Sequence, residues 1–348
     1  MKRYLGAMAF GLVTILLSGC AMAEPIKSGE HPPVKLSAWM ASWDADSGKK
    51  EYGKVKKRLD AVSCFAVCYD EKDELLVPKE IRDMLKLSSK GSEAFVRYLS
   101  FVNDSVTADG KTKEKDTDLL KRLLADDAFM EAQAGKMVSL AKELGCEGVE
   151  LDYEKEWKDE AVFRNYVRFT SLLFSACSEQ GLKLRIILEP SAPMDAPYCE
   201  GPEYVVMLYN LYGKHSGPGP KADGEFIGKT VRKMESLPGE KSVAIATGGC
   251  LWEKGGFLLS SYDKKKFLTE KEAVDLCKKH KAEAERDPGS ACLHFSYKEN
   301  GKTTEVWYAD SETLSAWITV AANAGVGHVA LWRLGGNTDI EKACKHKD

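Results

Sequence analysis

Three carboxylic acids, Glu150, Asp152 and Glu154, lie two residues apart in the segment Glu147–Glu154, which reads E-G-V-E-L-D-Y-E. On an extended chain, successive side chains point to opposite faces, so these three share one face and Val149, Leu151 and Tyr153 take the other. Packing like charges side by side away from water raises the pKa of at least one of them. Packing alone gives no reason for such an arrangement, but acid–base chemistry does, because a carboxyl that keeps its proton near neutral pH can give it to a leaving group. A divalent-metal site built from carboxylates is the competing use, but no His and no second acidic motif accompanies the triplet apart from Glu189.

The elements that would hold this segment read as repeated βα units. Short apolar or β-branched runs alternate with longer amphipathic segments, the order expected around a parallel sheet. Eight runs qualify as strands: 35–43, 61–69, 95–102, 146–152, 183–188, 204–210, 242–247 and 328–334. The clearest helical segments are 119–144, read as two helices, then 162–178, 271–284 and 311–324. Phe163, Tyr166, Val167, Thr170, Leu173, Phe174 and Cys177 recur at helical spacing, the mark of a core-facing stripe. Eight strands without a Rossmann-type glycine fingerprint predict a closed (β/α)8 TIM barrel, whose chemistry sits at the C-terminal ends of its strands.

The gap between the seventh and eighth strands is too long for one βα unit and predicts a small α+β insertion at about 250–308. Within it, 291–308 reads as a hairpin turning at Asn300-Gly301. Trp43, Tyr69, Glu189 and Trp252 fall at predicted strand ends, where they could shape subsites or simply pack.

These motifs together resemble glycoside hydrolase family 18, whose active strand reads D-G-x-D-x-D-x-E, and especially its spore-cortex-lytic, peptidoglycan-directed N-acetylglucosaminidases. Met207-Leu208-Tyr209-Asn210 resembles that family's M-x-Y-D, Gly217-Pro218-Gly219-Pro220 follows it, and Glu305–Ser311 and Ala330–Gly335 resemble the approach to the final helix and the eighth strand. The resemblance implies a retaining hydrolase of β-linked N-acetylglucosamine glycans, peptidoglycan or chitin-like, in which the substrate's own 2-acetamido group is the nucleophile. It implies Glu154 as general acid and then base. Asp152 would accept the acetamido N–H, Tyr209 would bond the acetamido carbonyl, and Glu150 would sit behind Asp152 and share its proton or hydrogen bonds. Trp332 would stack on the sugar, with Met207 and Asn210 lining the site; Glu189, at a predicted strand end, is a further candidate for binding substrate. No metal or cofactor is implied. The sequence departs from the pattern at Glu147, Glu150 and Asn210, each standing where the family has aspartate. The alternative is a catalytically inactive glycan-binding protein on the same barrel.

At the N-terminus, Lys2 and Arg3 precede an apolar run over Leu5–Leu17 that is too short to span a bilayer comfortably, the pattern of an export signal. Leu17-Ser18-Gly19-Cys20 resembles a bacterial lipobox, which implies a leader over 1–19, lipid on Cys20, a tether over 20–34 and the catalytic barrel over 35–348. The expected location is the bacterial cell envelope outside the cytoplasm, with membrane contact through the N-terminal lipid only. With 50 Lys and Arg against 53 Asp and Glu, the net charge of −3 argues against nucleic acid as a partner, and an N-acetylated polysaccharide or oligosaccharide is expected in its place. A monomer is expected. The ten cysteines show no CxxC pair and no His spacing suited to zinc; most read as small buried hydrophobes.

Overall fold

The computed structural model describes residues 25–87, 95–254 and 262–344. The leader over 1–19 and Cys20 lie outside them. Seven strands, β1 (Lys35–Ala41), β2 (Ala61–Asp70), β3 (Val96–Val106), β4 (Gly148–Asp152), β5 (Lys183–Leu188), β6 (Glu203–Met207) and β7 (Glu240–Ala246), pair in parallel in chain order. The strand His328–Leu334 lies between β7 and β1, parallel to both, and closes the sheet into an eight-stranded barrel. Helices α1 (Ala45–Val55), α2 (Lys79–Leu87), α3 (Thr117–Leu123), α4 (Asp127–Glu143), α5 (Glu160–Glu179), α6 (Gly224–Lys233) and, later in the chain, Ser311–Asn323 form the outer layer. This is a (β/α)8 barrel, as the alternation of elements predicts.

Two apolar layers follow from the two faces of each strand. The larger core lies between strands and helices and takes Val149, Leu151 and Tyr153, with Tyr166, Val167, Leu173 and Cys177 of α5. A smaller cluster of Trp39, Phe65, Val102, Ile187, Met207, Ala244 and Ala330 fills the barrel interior. Beneath it lies a polar floor, where Arg185 meets Glu203 at 2.9 Å, His328 lies 2.7 Å from the same carboxylate, and the Arg185 guanidinium stacks 4.4 Å from the Tyr98 ring. Burial pushes the Glu203 carboxyl up, but Arg185 and His328 outweigh it and hold it well below the usual carboxylate range. Gly148 opens β4 where a Cβ would stand 2.5 Å from the Tyr98 ring, so only glycine lets that ring cross the floor.

Between β7 and the last barrel strand the chain builds a second, five-stranded antiparallel sheet: β8 (Gly248–Lys254), β9 (Tyr262–Leu268), β10 (Glu285–Arg286), β11 (Leu293–Glu299) and β12 (Lys302–Ala309). Helix α7 (Glu270–Lys279) packs on it over Leu251, Phe295, Val306 and Tyr308. Asn300 and Gly301 both take left-handed φ, 51° and 77°, the geometry a two-residue hairpin turn needs. At the sheet's entry Gly249 has no room for a Cβ, which would lie 1.9 Å from the Trp307 carbonyl oxygen.

Several boundaries differ from the sequence expectation for local reasons. The first strand stops at Ala41, because Ser42–Asp44 turns into α1. The sixth spans Glu203–Met207 rather than 204–210, and Asn210 leaves it with φ 64°. The expected tether is not free along its length. Ile26 donates its N–H to Pro288 and packs against the core, Gly29 donates to Thr319 Oγ1, and Val34 is buried.

Candidate active site

Strand β4 delivers the acidic triplet as the two-residue period predicts: Glu150 and Asp152 point into the barrel, and Glu154 follows the strand's end. Each carboxyl meets a different environment.

Glu150 is fully buried and saturated with donors. It accepts from Trp39 Nε1 at 2.5 Å, Ser63 Oγ at 2.7 Å and Ser100 Oγ at 2.5 Å, and Arg185 Nη1 lies 3.6 Å away. The expectation that Glu150 shares a proton or hydrogen bond with Asp152 is therefore corrected: its hydrogen bonds go to β1, β2 and β3. Glu147, the other position where glutamate replaces aspartate, stands at the opposite end of the strand and chelates Arg97 through Nε at 3.0 Å and Nη2 at 2.8 Å. It takes no part in the site.

Asp152 is buried, and its Oδ1 has no hydrogen-bond partner. Burial first, then the carboxylates of Glu154 and Glu150, raise its pKa well above the ordinary value, with Lys115 opposing. An orphaned acceptor at the mouth of a barrel is costly to the fold and is explained if a ligand supplies the missing donor.

Glu154 is held by its backbone. Asn103 of β3 accepts from its N–H at 2.9 Å and donates to its carbonyl at 3.1 Å. Its side chain accepts from Lys115 Nζ. Burial raises the Glu154 pKa, and the nearby ammonium pulls the other way without cancelling the rise. Lys115 is held in turn by a backbone bond to Asp104 Oδ1 at 2.7 Å.

The remaining sequence candidates divide. Tyr209 is 9% exposed at the end of β6, and burial together with the Asp152 carboxylate pushes its hydroxyl up. Trp332 forms one wall with Trp39 at 5.7 Å, Phe65 at 4.7 Å and Trp43 at 6.3 Å between ring centroids, and Trp43 is 64% exposed. Met207 belongs to the interior cluster beneath them. Glu189 is half-buried beside Glu154, and its Oε2 carries hydrogen bonds to the following turn. It accepts from the Lys155 N–H at 2.9 Å and Trp157 Nε1 at 2.8 Å, fixing the turn that follows Glu154. Asn210 is exposed and makes no hydrogen bond among the described residues. Tyr69 and Trp252 are internal: Tyr69 meets the Tyr153 hydroxyl at 2.6 Å, and Trp252 Nε1 ties down the Gly213 and Ser216 carbonyls at 3.1 Å.

Among the described residues no group of three or more His, Cys, Asp or Glu side chains is disposed to hold a metal ion. Sequence reasoning did not single out Trp39, Ser63, Ser100, Asn103 or Lys115. The first three sit on inward-facing positions of their strands and could have been found by asking which polar residues share the barrel interior.

No family model and no curated protein matches the chain. Solved structures do. The spore cortex-lytic enzyme SleL of Bacillus cereus superposes with a TM-score of 0.74 at 16% identity, covering 91% of this chain and 74% of that one. A chitinase from Chromobacterium violaceum gives 0.73 at 17%, covering 89% and 97%. The class V chitinase of Nicotiana tobaccum, solved in complex with NAG4, gives 0.71 at 13%, covering 90% and 98%. The chain shares their fold. That fold is the one the family 18 resemblance implies, reached from coordinates rather than motifs.

Proposed function

We propose that the chain is a retaining glycoside hydrolase that cleaves β-linked N-acetylglucosamine glycans with the help of the substrate's 2-acetamido group. The observation that carries this reading is the buried, unpartnered Oδ1 of Asp152 two residues before an acid of raised pKa. An acetamido N–H donated to Oδ1 satisfies it and turns the acetamido oxygen toward the anomeric carbon. Glu154 gives its proton to the glycosidic oxygen as the bond to the leaving sugar breaks, and the acetamido oxygen bonds to that carbon. Asp152 stabilises the oxazolinium cation so formed, and the Tyr209 hydroxyl donates to the acetamido oxygen. Glu154, now a carboxylate, takes a proton from water as the water oxygen displaces the acetamido oxygen. Two displacements at one carbon return the original configuration. Trp332 offers a face for the sugar ring.

Support comes from the shared fold of a cortex-lytic enzyme and chitinases. The testing experiment is incubation with peptidoglycan, chitin and an N-glycan: release of reducing N-acetylglucosamine ends from at least one of them is expected, and release from none rejects the reading. One observation favours the inactive, glycan-binding alternative: the Lys115 ammonium on Glu154 favours the ionised carboxylate, which cannot donate a proton. Binding of chito-oligomers without hydrolysis over long incubation would select that alternative.

We further propose attachment to the bacterial envelope through lipid on Cys20, supported by the Leu17–Cys20 sequence. Cys20→Ala should move the protein from the membrane to the soluble fraction; retention at the membrane would contradict it.

A further inference from the structure

The loop carrying Lys115 and the turn after Glu154 together line a cavity of about 400 Å³ whose charged residues are Lys113, Lys115, Lys121, Lys155 and Lys158 against Glu114 and Asp159. Most of that positive charge is matched locally by carboxylates. Three of the lysines have carboxylate partners: Lys113 with Asp116 and Asp118, Lys121 with Asp118 and Asp159, and Lys115 with Glu154. Lys155 and Lys158 form no ion pair among the described residues, and the Lys158 ammonium lies 5.5 Å from the centre of the Trp157 ring. Glu189 fixes this turn by accepting from both the Lys155 N–H and Trp157 Nε1. Two cations without an ion pair therefore stand on an immobilised turn beside the acid, in a concavity they share with the carboxylate of Glu114.

We propose that this cavity is a subsite for an anionic substituent, carboxylate or phosphate, on the sugar that departs when Glu154 donates its proton. The placement rests on the reading of Glu154 as the acid: Lys115 joins the two sites, touching the Glu154 carboxylate while lining the cavity. An anion drawn into the cavity competes for Lys115 and frees Glu154 to hold its proton, so the same group that recognises the substituent readies the acid.

The test compares chitotetraose with its C6-carboxyl and C6-phosphoryl derivatives, binding to the full chain being followed by calorimetry at low and moderate salt. A Lys155→Asn/Lys158→Ala protein serves as the variant, asparagine being chosen because it tolerates the left-handed φ of 64° at residue 155. Wild type should bind at least one anionic derivative roughly tenfold more tightly than chitotetraose, less so as salt rises, and the variant should lose that preference. Whichever derivative is preferred identifies the anion. Equal affinity for charged and uncharged oligomers overturns the subsite, and hydrolysis of chitotetraose by the same preparation would show that the Glu154 reading survives it. An anion preference in a protein that hydrolyses none of the three would instead reject that reading and leave the cavity's role standing.

Discussion

Lys115 Nζ, in the loop after β3, reaches Glu154 Oε2 at the end of the neighbouring β4, so the residue proposed to donate a proton rests in an ion pair. Burial raises the Glu154 pKa and the ammonium lowers it, with burial prevailing. On the proposed reading this opposition sets the working range of the site, because a general acid must be protonated when the glycosidic bond breaks.

Replacing Lys115 by Met removes the lowering influence, so the Glu154 pKa rises further and its acid form persists to higher pH. The basic limb of the kcat/KM profile should move to higher pH. A profile measured with an uncharged chito-oligosaccharide that does not move would show that Lys115 leaves the acid unaffected.

Asp152 should trade stability for activity. Its folded pKa lies above its unfolded value, so the folded state binds the extra proton and stability is lost as pH rises from the unfolded value through the folded one. Asp152→Asn cannot ionise and escapes that loss. Thermal unfolding at neutral pH should give the variant the higher Tm while kcat falls on the order of a hundredfold or more. A lower Tm at neutral pH would contradict the cost assigned to the buried carboxylate.

Glu156 offers the same test away from the proposed chemistry. It is buried, both carboxyl oxygens lack partners, and burial pushes its pKa up to about 8. Its penalty therefore develops between the unfolded value near 4.5 and about 8. Glu156→Gln should raise the Tm at pH 9 by several degrees more than at pH 5, and an equal change at both pH values would argue against a neutral resting carboxyl.

The positions of Asp152 and Glu154 were legible in the sequence because a strand's side-chain period is two and the apolar alternates Val149, Leu151 and Tyr153 have a helix-covered face to fill. The Asn300-Gly301 turn was legible because left-handed φ restricts which residues can occupy it. The environment of Glu150 was not, because its donors Trp39, Ser63 and Ser100 lie 111, 87 and 50 residues away and meet it only when the barrel closes. Lys115 sits in a loop without periodicity, so nothing local linked it to an acid 39 residues on. Glu189 follows its strand end as expected and also holds a turn, whereas Trp252 lies within β8 of the second sheet and holds a loop, a distinction that hydrogen bonds reveal and spacing does not.

The assignment of Glu154 as the proton donor is tested most directly by comparing reducing-end release from the susceptible glycan by wild type and Glu154→Gln. Wild type should release N-acetylglucosamine ends, and Glu154→Gln, which keeps the shape but cannot donate the proton, should be slower by about two to four orders of magnitude. Equal rates in the two proteins would contradict it.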